Sequence, residues 1–372
     1  MEVVQENLQL KSKNLKISRP NDIIVTYSWS GNSHKICGHN FEAFELTYKL
    51  LKGNINEGNI TYLIPDKDDQ AQKIHEVLKD KYQKEIYSSM EPRIIHGKPT
   101  FLIGNRVILC DGCLPTKGII HAEALVLILC SNTFWWTKNI TNYTGNHLEL
   151  WYDERLNYNI SKLVHDLTLH KPDLQVVLRP TYVKNINFDI YSPVVIKRPS
   201  NHKKYLCYVT GNCRDMCMAD KKYHSDTLKE IKDIITNQLS NGVEKASLLI
   251  VGWNPDYKPE EKMYYDKNKD AKDFQDRKLA AIFAGNLSEY FGFDVEIIPE
   301  LDLPVDNILE LFDSYIYTPT EKNWDCSSRF ILECRKFHKE VVLTPTAEKG
   351  LETNLGLKVR LQDAGFLPKD PK

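Results

Sequence analysis

Short apolar runs alternate with amphipathic segments through the first half of the chain. Runs with the length and composition of strands occupy residues 23–27, 59–64, 124–130, 147–152, 174–178 and 194–197, and a hairpin is predicted over 99–109. Helical periodicity covers the intervening residues 40–51, 70–82 and 161–169. Strands that alternate with helices in this way are typical of α/β layers built on parallel sheets.

A second alternation of the same kind fills the rest of the chain. Its predicted strands are 205–209, 247–251, 295–299 and 315–317, and its predicted helices are 224–239, 271–290 and 307–312. The polar, basic and proline-containing residues 198–204 separate the two halves and predict a linker. A chain of 372 residues is long enough for two domains. We therefore predict Rossmann-like domains at 1–197 and 205–372, joined by 198–204.

The stretch DCSSRFILECRKFHKEVVL, residues 325–343, predicts a helix followed by a buried strand at 341–343. Asp325, Ser327 or Ser328 can cap the helix by accepting its first backbone N–H groups. Arg329 and Glu333 then lie four residues apart on one helix face. A guanidinium there can meet a phosphate, and a carboxylate can accept from two sugar hydroxyls. The alternative is an i,i+4 ion pair worth a few tenths of a kcal/mol.

Composition and charge narrow the function classes. Hydrophobic residues make up 42% and charged residues 27%, as in ordinary soluble globular proteins. No run of about 18 apolar residues and no secretory h-region occurs, so a cytoplasmic protein without a membrane span is expected. The net charge of −1 gives no overall argument for nucleic-acid binding. Basic residues do cluster, but a solvated terminus or linker is the preferred interpretation of each cluster: Lys11, Lys13, Lys16 and Arg19, then Lys197, Arg198, His202, Lys203 and Lys204.

The nine cysteines are an odd number and are scattered through apolar segments, which indicates free thiols in a reducing compartment. Two close pairs, Cys110/Cys113 and Cys213/Cys217, could together supply four thiolates to zinc. They fall in different predicted domains, so we expect buried, apolar thiols and no metal ligands.

In open parallel sheets, ligands bind beyond the carboxyl ends of strands, and four polar segments follow predicted strands. The segment 210–214 contains Gly211, Asn212 and Arg214, where glycine lets backbone N–H groups approach a diphosphate and arginine neutralises it. Ser30 and Asn32 lie in a similar loop after the first strand.

Trp135 and Trp136 follow the apolar strand 124–130, and Asp153, Glu154 and Arg155 follow the strand 147–152. Adjacent tryptophans in a polar loop indicate a stacking surface or a half-buried structural pair. Acidic residues at a strand end suit general-base chemistry, and the alternative is a loop ion pair with Arg155.

The chain has neither a GxGxxG fingerprint nor a Walker A loop. Three of its segments resemble the bacteriophage DNA beta-glucosyltransferases, which are GT-B enzymes that modify 5-hydroxymethylcytosine. LVLILCSNTFWW with LELWYDERL resembles the family's aromatic loop and catalytic aspartate, YVTGNCRD its diphosphate loop, and RFILECRKFHKEVVL its ribose-binding helix. The chain departs from that pattern at Met218, where the family has a second arginine, and at Arg329, which precedes the glutamate by four residues instead of three.

The resemblance implies a GT-B fold, with two Rossmann-like domains facing a central cleft, and inverting transfer of a sugar from a UDP-sugar to 5-hydroxymethylcytosine in phage DNA. It implies that Asp153 is the general base and that a monomer binds double-stranded DNA in the host-cell cytoplasm. The remaining site assignments are nucleotide-sugar binding by Gly211, Asn212, Arg214, Arg329 and Glu333, and acceptor or DNA binding by Ser30, Asn32, Trp135, Trp136 and Arg155.

The UDP-sugar is a co-substrate, and enzymes of this kind can use Mg²⁺ or Mn²⁺ with its diphosphate. Three alternatives stay open at this point. One is transfer to a polysaccharide or a small molecule, which the near-neutral charge favours. The others are a UDP-sugar epimerase and a non-catalytic GT-B scaffold.

Overall fold

The structure is a computed structural model. It describes residues 22–27, 38–53, 59–66, 71–96, 101–110, 112–116, 118–130, 134–182, 186–195, 201–208, 226–253, 259–299, 308–318 and 329–369. The chain divides into two compact units, Met1–Ser192 and Pro193–Lys372. This division lies a few residues before the predicted domain boundary at 197.

Within its described residues, the first unit contains a seven-stranded sheet in which every strand pair is parallel. The strands are β1 Ile23–Thr26, β2 Ile60–Asp66, β3 Arg93–His96, β4 Phe101–Leu109, β5 Ile119–Ile128, β6 His147–Trp151 and β7 Gln175–Arg179. Their order across the sheet is β3-β2-β1-β4-β5-β6-β7. The order reverses between β1 and β4, which is the doubly wound pattern.

Four helices accompany these strands in the described part of the first unit: α1 Gly38–Lys52, α2 Ala71–Lys81, α3 Lys84–Ser89 and α4 Ile160–His170. Leu163 and Leu167 of α4 are fully buried in the core cluster that includes Leu148 and Leu150 of β6. The 3.6-residue periodicity of α4 thus places its apolar stripe on the sheet.

Strand β5 illustrates why the sequence forms a central strand here. In its first half, Ile120 and Ala122 are buried and alternate with exposed residues. In its second half, residues 125–128 are all buried. An apolar run that is buried on both faces requires neighbours on both edges, and β5 pairs with β4 and β6.

The second unit contains a parallel sheet of five described strands in the order β10-β9-β8-β11-β12. These are β8 His202–Tyr208, β9 Lys245–Trp253, β10 Asp294–Pro299, β11 Ser314–Tyr317 and β12 Glu340–Leu343. The order reverses between β8 and β11, so this sheet repeats the doubly wound pattern of the first unit.

The helices described in the second unit are α5 Asp226–Ser240, α6 Pro259–Lys267, α7 Lys269–Phe291, α8 Arg329–Lys336, α9 Pro345–Lys349 and α10 Leu355–Asp363. The core joins Leu228, Ile231 and Ile235 of α5 to Leu248 and Ile250 of β9. Helix α7 ends at Gly292, whose φ of 79° is the left-handed conformation that glycine adopts readily at a helix C-terminus.

The prediction of parallel α/β sheets is confirmed, but several elements differ from their predictions. The predicted hairpin at 99–109 is the single strand β4, which is parallel to β1 and β5. Residues 194 and 195 of a predicted strand have no strand conformation. The predicted helix at 307–312 is a 3₁₀ turn at Ile308–Glu310. Pattern alone did not distinguish β4 from a hairpin, because the side chains of a continuous strand and of a hairpin alternate in the same way.

The predicted linker at 198–204 is also corrected in part, because residues 202–204 begin strand β8. Lys203 donates to Glu340 Oε2 at 2.7 Å, and the Lys204 backbone N–H donates to Asp313 at 2.8 Å. The described part of this basic cluster is therefore tied into the second sheet. Residues 198–200 lie outside the described residues.

Candidate functional site

Strands β8 and β11 flank the reversal point of the second sheet, the position at which open α/β sheets bind ligands. They are parallel neighbours, with Ser314 opposite Tyr205 and Ile316 opposite Cys207. At their carboxyl ends, the Cys207 Sγ and Thr318 Oγ1 atoms are 3.0 Å apart. Burial raises the pKa of the Cys207 thiol to about 11, so it stays protonated at neutral pH.

The predicted diphosphate loop begins directly after β8. Its residues Gly211, Asn212 and Arg214 lie outside the described residues. Strand β8, which precedes these residues in the chain, lies at the reversal point of the sheet. Helix α8, which carries Arg329 and Glu333, is the next described element after β11. Both segments predicted to bind the nucleotide therefore follow the two strands at that point.

Arg329 and Glu333 form an ion pair inside the second unit. The Arg329 Nε atom donates to Glu333 Oε1 at 2.8 Å, and Glu333 is 2% exposed. Arg329 is the first residue of α8, so the pair occupies the first turns of that helix. The ion-pair alternative considered for these residues is observed, and their binding of ribose and phosphate stays a prediction.

In the first unit, Asp153 follows β6 and is buried, and its side chain is bound by Arg155. The Arg155 Nε donates to Asp153 Oδ1 at 2.9 Å, and a terminal guanidinium nitrogen donates to Oδ2 at 2.6 Å. The Arg155 backbone N–H also donates to Oδ1, at 3.1 Å, so Asp153 caps the following 3₁₀ turn. Both carboxylate oxygens are engaged, and a substrate hydroxyl would replace one of these bonds.

The two neighbouring tryptophans have opposite environments. Trp135 is 56% exposed, whereas Trp136 is 1% exposed and belongs to the first unit's core. Phe134 meets Trp136 edge to face, with ring centroids 6.1 Å apart. The assignment of Trp136 to acceptor binding is therefore corrected, because a ring enclosed by the core presents no face to a ligand. Trp135 keeps that assignment as a prediction.

An open groove of ≈ 550 Å³ lies beside Trp135. It is lined by Phe134, Trp135, Asn159, Lys162 and Asp166. The last three belong to the cap and the first turns of α4, and Lys162 Nζ is 2.5 Å from Asp166 Oδ2. The groove therefore combines an exposed aromatic ring with one cation and one carboxylate.

The structure also reveals a buried polar network at the reversal point of the first sheet, which sequence reasoning did not identify. Tyr27 follows β1, and its ring stacks on His39 with centroids 5.2 Å apart. His39 Nδ1 is 3.4 Å from Glu42 Oε2, and the Tyr182 hydroxyl donates to Glu42 Oε1 at 3.1 Å. Ser30 and Asn32, predicted as acceptor residues between β1 and α1, lie outside the described residues.

One turn further along α1, Glu45 is buried in the same way. The Tyr82 hydroxyl donates to Glu45 Oε1 at 2.8 Å, and the Asn187 backbone N–H donates to Oε2 at 3.2 Å. Buried carboxylates are costly without such partners, which explains why tyrosines distant in sequence converge on this helix. Two glutamates on the apolar side of a helix were the sequence signal for these buried contacts. The sequence does not reveal their partners, Tyr82 and Tyr182, because these are 37 and 140 residues away.

The Tyr182 hydroxyl is a stable donor in this network. Burial of the phenol, and the negative charge of Glu42, raise the pKa of Tyr182 well above its ordinary value. The group is therefore protonated throughout the neutral range and donates to a carboxylate.

We predict that Tyr182→Phe destabilises the first unit by about 1–3 kcal/mol, because it removes a donor and leaves a buried carboxylate oxygen poorly satisfied. Urea denaturation compares this variant with Tyr48→Phe, a half-buried tyrosine of α1 whose hydroxyl has no hydrogen bond within the described residues. Equal unfolding free energies for the two variants would show that the Tyr182–Glu42 bond contributes nothing measurable.

The buried carboxylate of Glu149 forms a second network. Glu149 lies on β6, two residues before the carboxyl end of the strand that Asp153 follows. Glu149 accepts from Arg106 at 2.9 Å and from the Trp151 indole at 2.9 Å. Burial by itself raises the pKa of Glu149, but the indole hydrogen bond and the charges of Arg106 and Arg179 together bring it below its ordinary value. This carboxylate is therefore ionised, and its contacts with Arg106 and Arg179 connect β6 to β4 and β7.

Among the described residues, no group of three or more His, Cys, Asp or Glu side chains could hold a metal ion. Cys110 is buried and Cys113 is partly buried. No helix in the described part of the chain combines the length and apolar character needed to cross a bilayer. Comparison of the sequence with protein-family models and with curated proteins finds no match.

Proposed function

We propose that this protein is a glycosyltransferase that moves a sugar from a UDP-sugar to the hydroxymethyl group of 5-hydroxymethylcytosine in phage DNA. The proposal includes the GT-B arrangement, in which two Rossmann-like domains face a central cleft. One observation supports it most. The two segments that resemble the family's nucleotide-binding elements follow β8 and β11, the strands at the reversal point of the second sheet.

The proposed reaction is a single displacement with inversion. The acceptor oxygen attacks the anomeric carbon, the bond from that carbon to the diphosphate oxygen breaks, and UDP leaves. Asp153 takes the proton of the acceptor hydroxyl. For this the hydroxyl replaces one of the two hydrogen bonds that the Arg155 guanidinium side chain makes to Asp153.

In the proposal, three groups stabilise the departing diphosphate: the Gly211 backbone, Arg214 and Arg329. Positive charge and backbone donors aimed at a leaving phosphate act where negative charge develops, so they lower the barrier and also strengthen donor binding. Glu333 accepts hydrogen bonds from the ribose hydroxyls. Mg²⁺ or Mn²⁺ on the diphosphate would supply further positive charge there.

A polysaccharide or small-molecule acceptor is the second candidate. The net charge of −1 favours it, and so does the pairing of Lys203 with Glu340, which commits part of the basic cluster to the fold. Either acceptor is consistent with the same donor site and the same base.

The reaction is tested by incubating the protein with hydroxymethylated DNA and a panel of UDP-sugars, followed by digestion to nucleosides and mass spectrometry. A nucleoside whose mass has increased by one sugar supports the proposal. UDP binding without transfer to this DNA, combined with transfer to a carbohydrate or small hydroxyl acceptor, would replace it with the second candidate.

DNA recognition is tested at Trp135. We expect Trp135→Ala to impair transfer to duplex DNA more than transfer to single-stranded DNA, because in a duplex the stacking of the base on Trp135 must also offset the cost of unpairing and unstacking that base. Trp135→Phe keeps a stacking ring and serves as the matched control. Binding should also weaken steeply with salt if phosphates are neutralised. Equal losses on both substrates, or binding that salt leaves unchanged, would contradict the DNA acceptor.

A further inference from the structure

The groove beside Trp135 exposes an indole ring that the fold does not require. Its neighbour Trp136 is enclosed by the core, so the chain can bury a tryptophan at this loop and leaves Trp135 56% exposed. The groove of ≈ 550 Å³ falls within the range of about 300–1,000 Å³ that small-molecule sites occupy. A planar, apolar surface of this kind suits a flat heterocycle.

The charged pair in the groove is poorly explained by helix stability. Lys162 is the third residue of α4, and its backbone N–H is capped by Asn159 Oδ1 at 3.1 Å. A cation in the first turn opposes the helix dipole, and a cation that precedes its carboxylate by four residues is the weaker order for an ion pair. The Lys162 and Asp166 side chains are 61% and 23% exposed, so the pair can open toward a ligand at small cost.

The three groups match one edge of cytosine. A cytosine ring presents a donor at its 4-amino group and acceptors at N3 and O2. Asp166 can accept from the amino group, and Lys162 can donate to the ring acceptors. In the same orientation, uracil presents an acceptor at O4 to the Asp166 carboxylate and an N3–H donor toward Lys162, so the contact with Asp166 and any contact of Lys162 with N3 are both lost. Flipped bases are read in this way, by hydrogen bonds to the Watson–Crick edge together with stacking.

The residues that line the groove are also close in sequence to Asp153, the proposed general base. The segment that follows β5 leads to Trp135, and the Leu129 backbone N–H donates to the Trp151 carbonyl at the end of β6 at 2.9 Å. Asp153 follows that strand, and Asn159 begins α4. The segments that follow two adjacent strands, β5 and β6, therefore contain the exposed ring, the carboxylate of Asp153 and, on α4, the charged pair.

We propose that this groove is the pyrimidine-reading subsite, in which Trp135 stacks on the base, Asp166 accepts from the 4-amino group and Lys162 donates to N3 or O2. The inference rests on the proposed function for its acceptor and for the role of Trp135, but it adds Lys162 and Asp166, which the resemblance does not name, as the residues that read the base. It makes the protein selective for 5-hydroxymethylcytosine over 5-hydroxymethyluracil.

Calorimetry with two short single-stranded oligonucleotides tests the subsite, one containing a single 5-hydroxymethylcytosine and the other a single 5-hydroxymethyluracil. The wild-type protein should bind the cytosine oligonucleotide on the order of 10- to 100-fold more tightly. Asp166→Asn should bring the two affinities together, because an amide can present either its oxygen or its NH₂ group. Trp135→Ala should weaken both by a similar factor, because stacking tolerates every base.

Asp173→Asn is the matched control, because Asp173 is an exposed carboxylate just beyond α4 and does not line the groove. It should keep the wild-type preference. A wild-type protein without a preference, or an Asp166→Asn variant that retains it, overturns the subsite. Sugar transfer to hydroxymethylated DNA is measured in parallel. If sugar is transferred but the two oligonucleotides bind equally well, the subsite is refuted and the proposed reaction stands. If the cytosine oligonucleotide is preferred but no sugar is transferred, the proposed reaction is refuted and the subsite stands.

Discussion

Asp153→Asn is expected to lower kcat by roughly 10²–10⁴ while UDP still binds with wild-type affinity. The loss follows from the proposed role, because an amide cannot accept the proton of the attacking hydroxyl. Donor binding should be spared, because Asp153 lies in the first unit and the predicted nucleotide-binding residues belong to the second. Turnover is measured with a saturating UDP-sugar and hydroxymethylated DNA, and UDP affinity is measured by calorimetry.

The contacts of Asp153 determine the controls for this experiment. Asparagine retains an oxygen for the Arg155 backbone N–H, so the 3₁₀ turn should persist, and thermal unfolding checks that it does. Glu154→Gln is the matched variant, because Glu154 is the exposed neighbour of a buried carboxylate. If Glu154→Gln abolishes turnover and Asp153→Asn does not, the general base is Glu154 and not Asp153. If neither changes turnover, neither carboxylate is the base.

The second large effect is expected at Glu333. Removal of charge-assisted hydrogen bonds to a ribose costs about 1.5–3 kcal/mol, so Glu333→Gln should weaken UDP binding by roughly one to two decades. Glutamine is preferred to alanine here, because the pair with Arg329 is buried. Truncation of one partner of a buried pair costs about 3–5 kcal/mol of stability and would confound the affinity measurement.

A second ion pair with a buried carboxylate, in the same unit, provides the control. Lys272 Nζ is 2.6 Å from Asp276 Oδ2 on α7, with the same i,i+4 spacing and a carboxylate that is also 2% exposed. Asp276→Asn should lower the stability of the second unit and leave UDP affinity unchanged. A folded Glu333→Gln variant that binds UDP as the wild type does would rule out the ribose-binding role of Glu333.

The sequence alone determined most of the secondary structure and the class of the fold. Residues 124–130 are apolar at every position, and a strand of that kind is stable only inside a sheet that is covered on both faces, so a buried parallel strand was predictable there. Helix α4 was predictable because its leucines recur at helical spacing. Residues 99–109 were misread as a hairpin, because local alternation does not say whether a chain turns back or continues.

Tertiary structure alone decided the order of the strands and the environments of the candidate site residues. Strand order depends on pairings between segments far apart in sequence, such as β1 with β4, and it determines which strand ends lie at a reversal point. Trp135 and Trp136 are identical in chemistry and adjacent in sequence, yet one is exposed and the other is in the core. The direction of the chain at that loop determines which of the two rings is buried, and the residue types alone do not indicate it.

The contacts of the buried carboxylates also divide into those that the sequence predicts and those that only the tertiary structure creates. The sequence places Glu42 and Glu45 on a helix, Arg155 two residues after Asp153, and Arg329 four residues before Glu333. Both arginine–carboxylate pairs were foreseeable, because a spacing of four places Arg329 and Glu333 on one helix face, and an aspartate that caps a turn accepts from residues just after it, such as Arg155. The hydroxyls that satisfy Glu42 and Glu45 come from Tyr182 and Tyr82, and only folding brings them into reach. Short-range contacts follow from the backbone geometry of one element, whereas long-range contacts depend on how the whole sheet assembles.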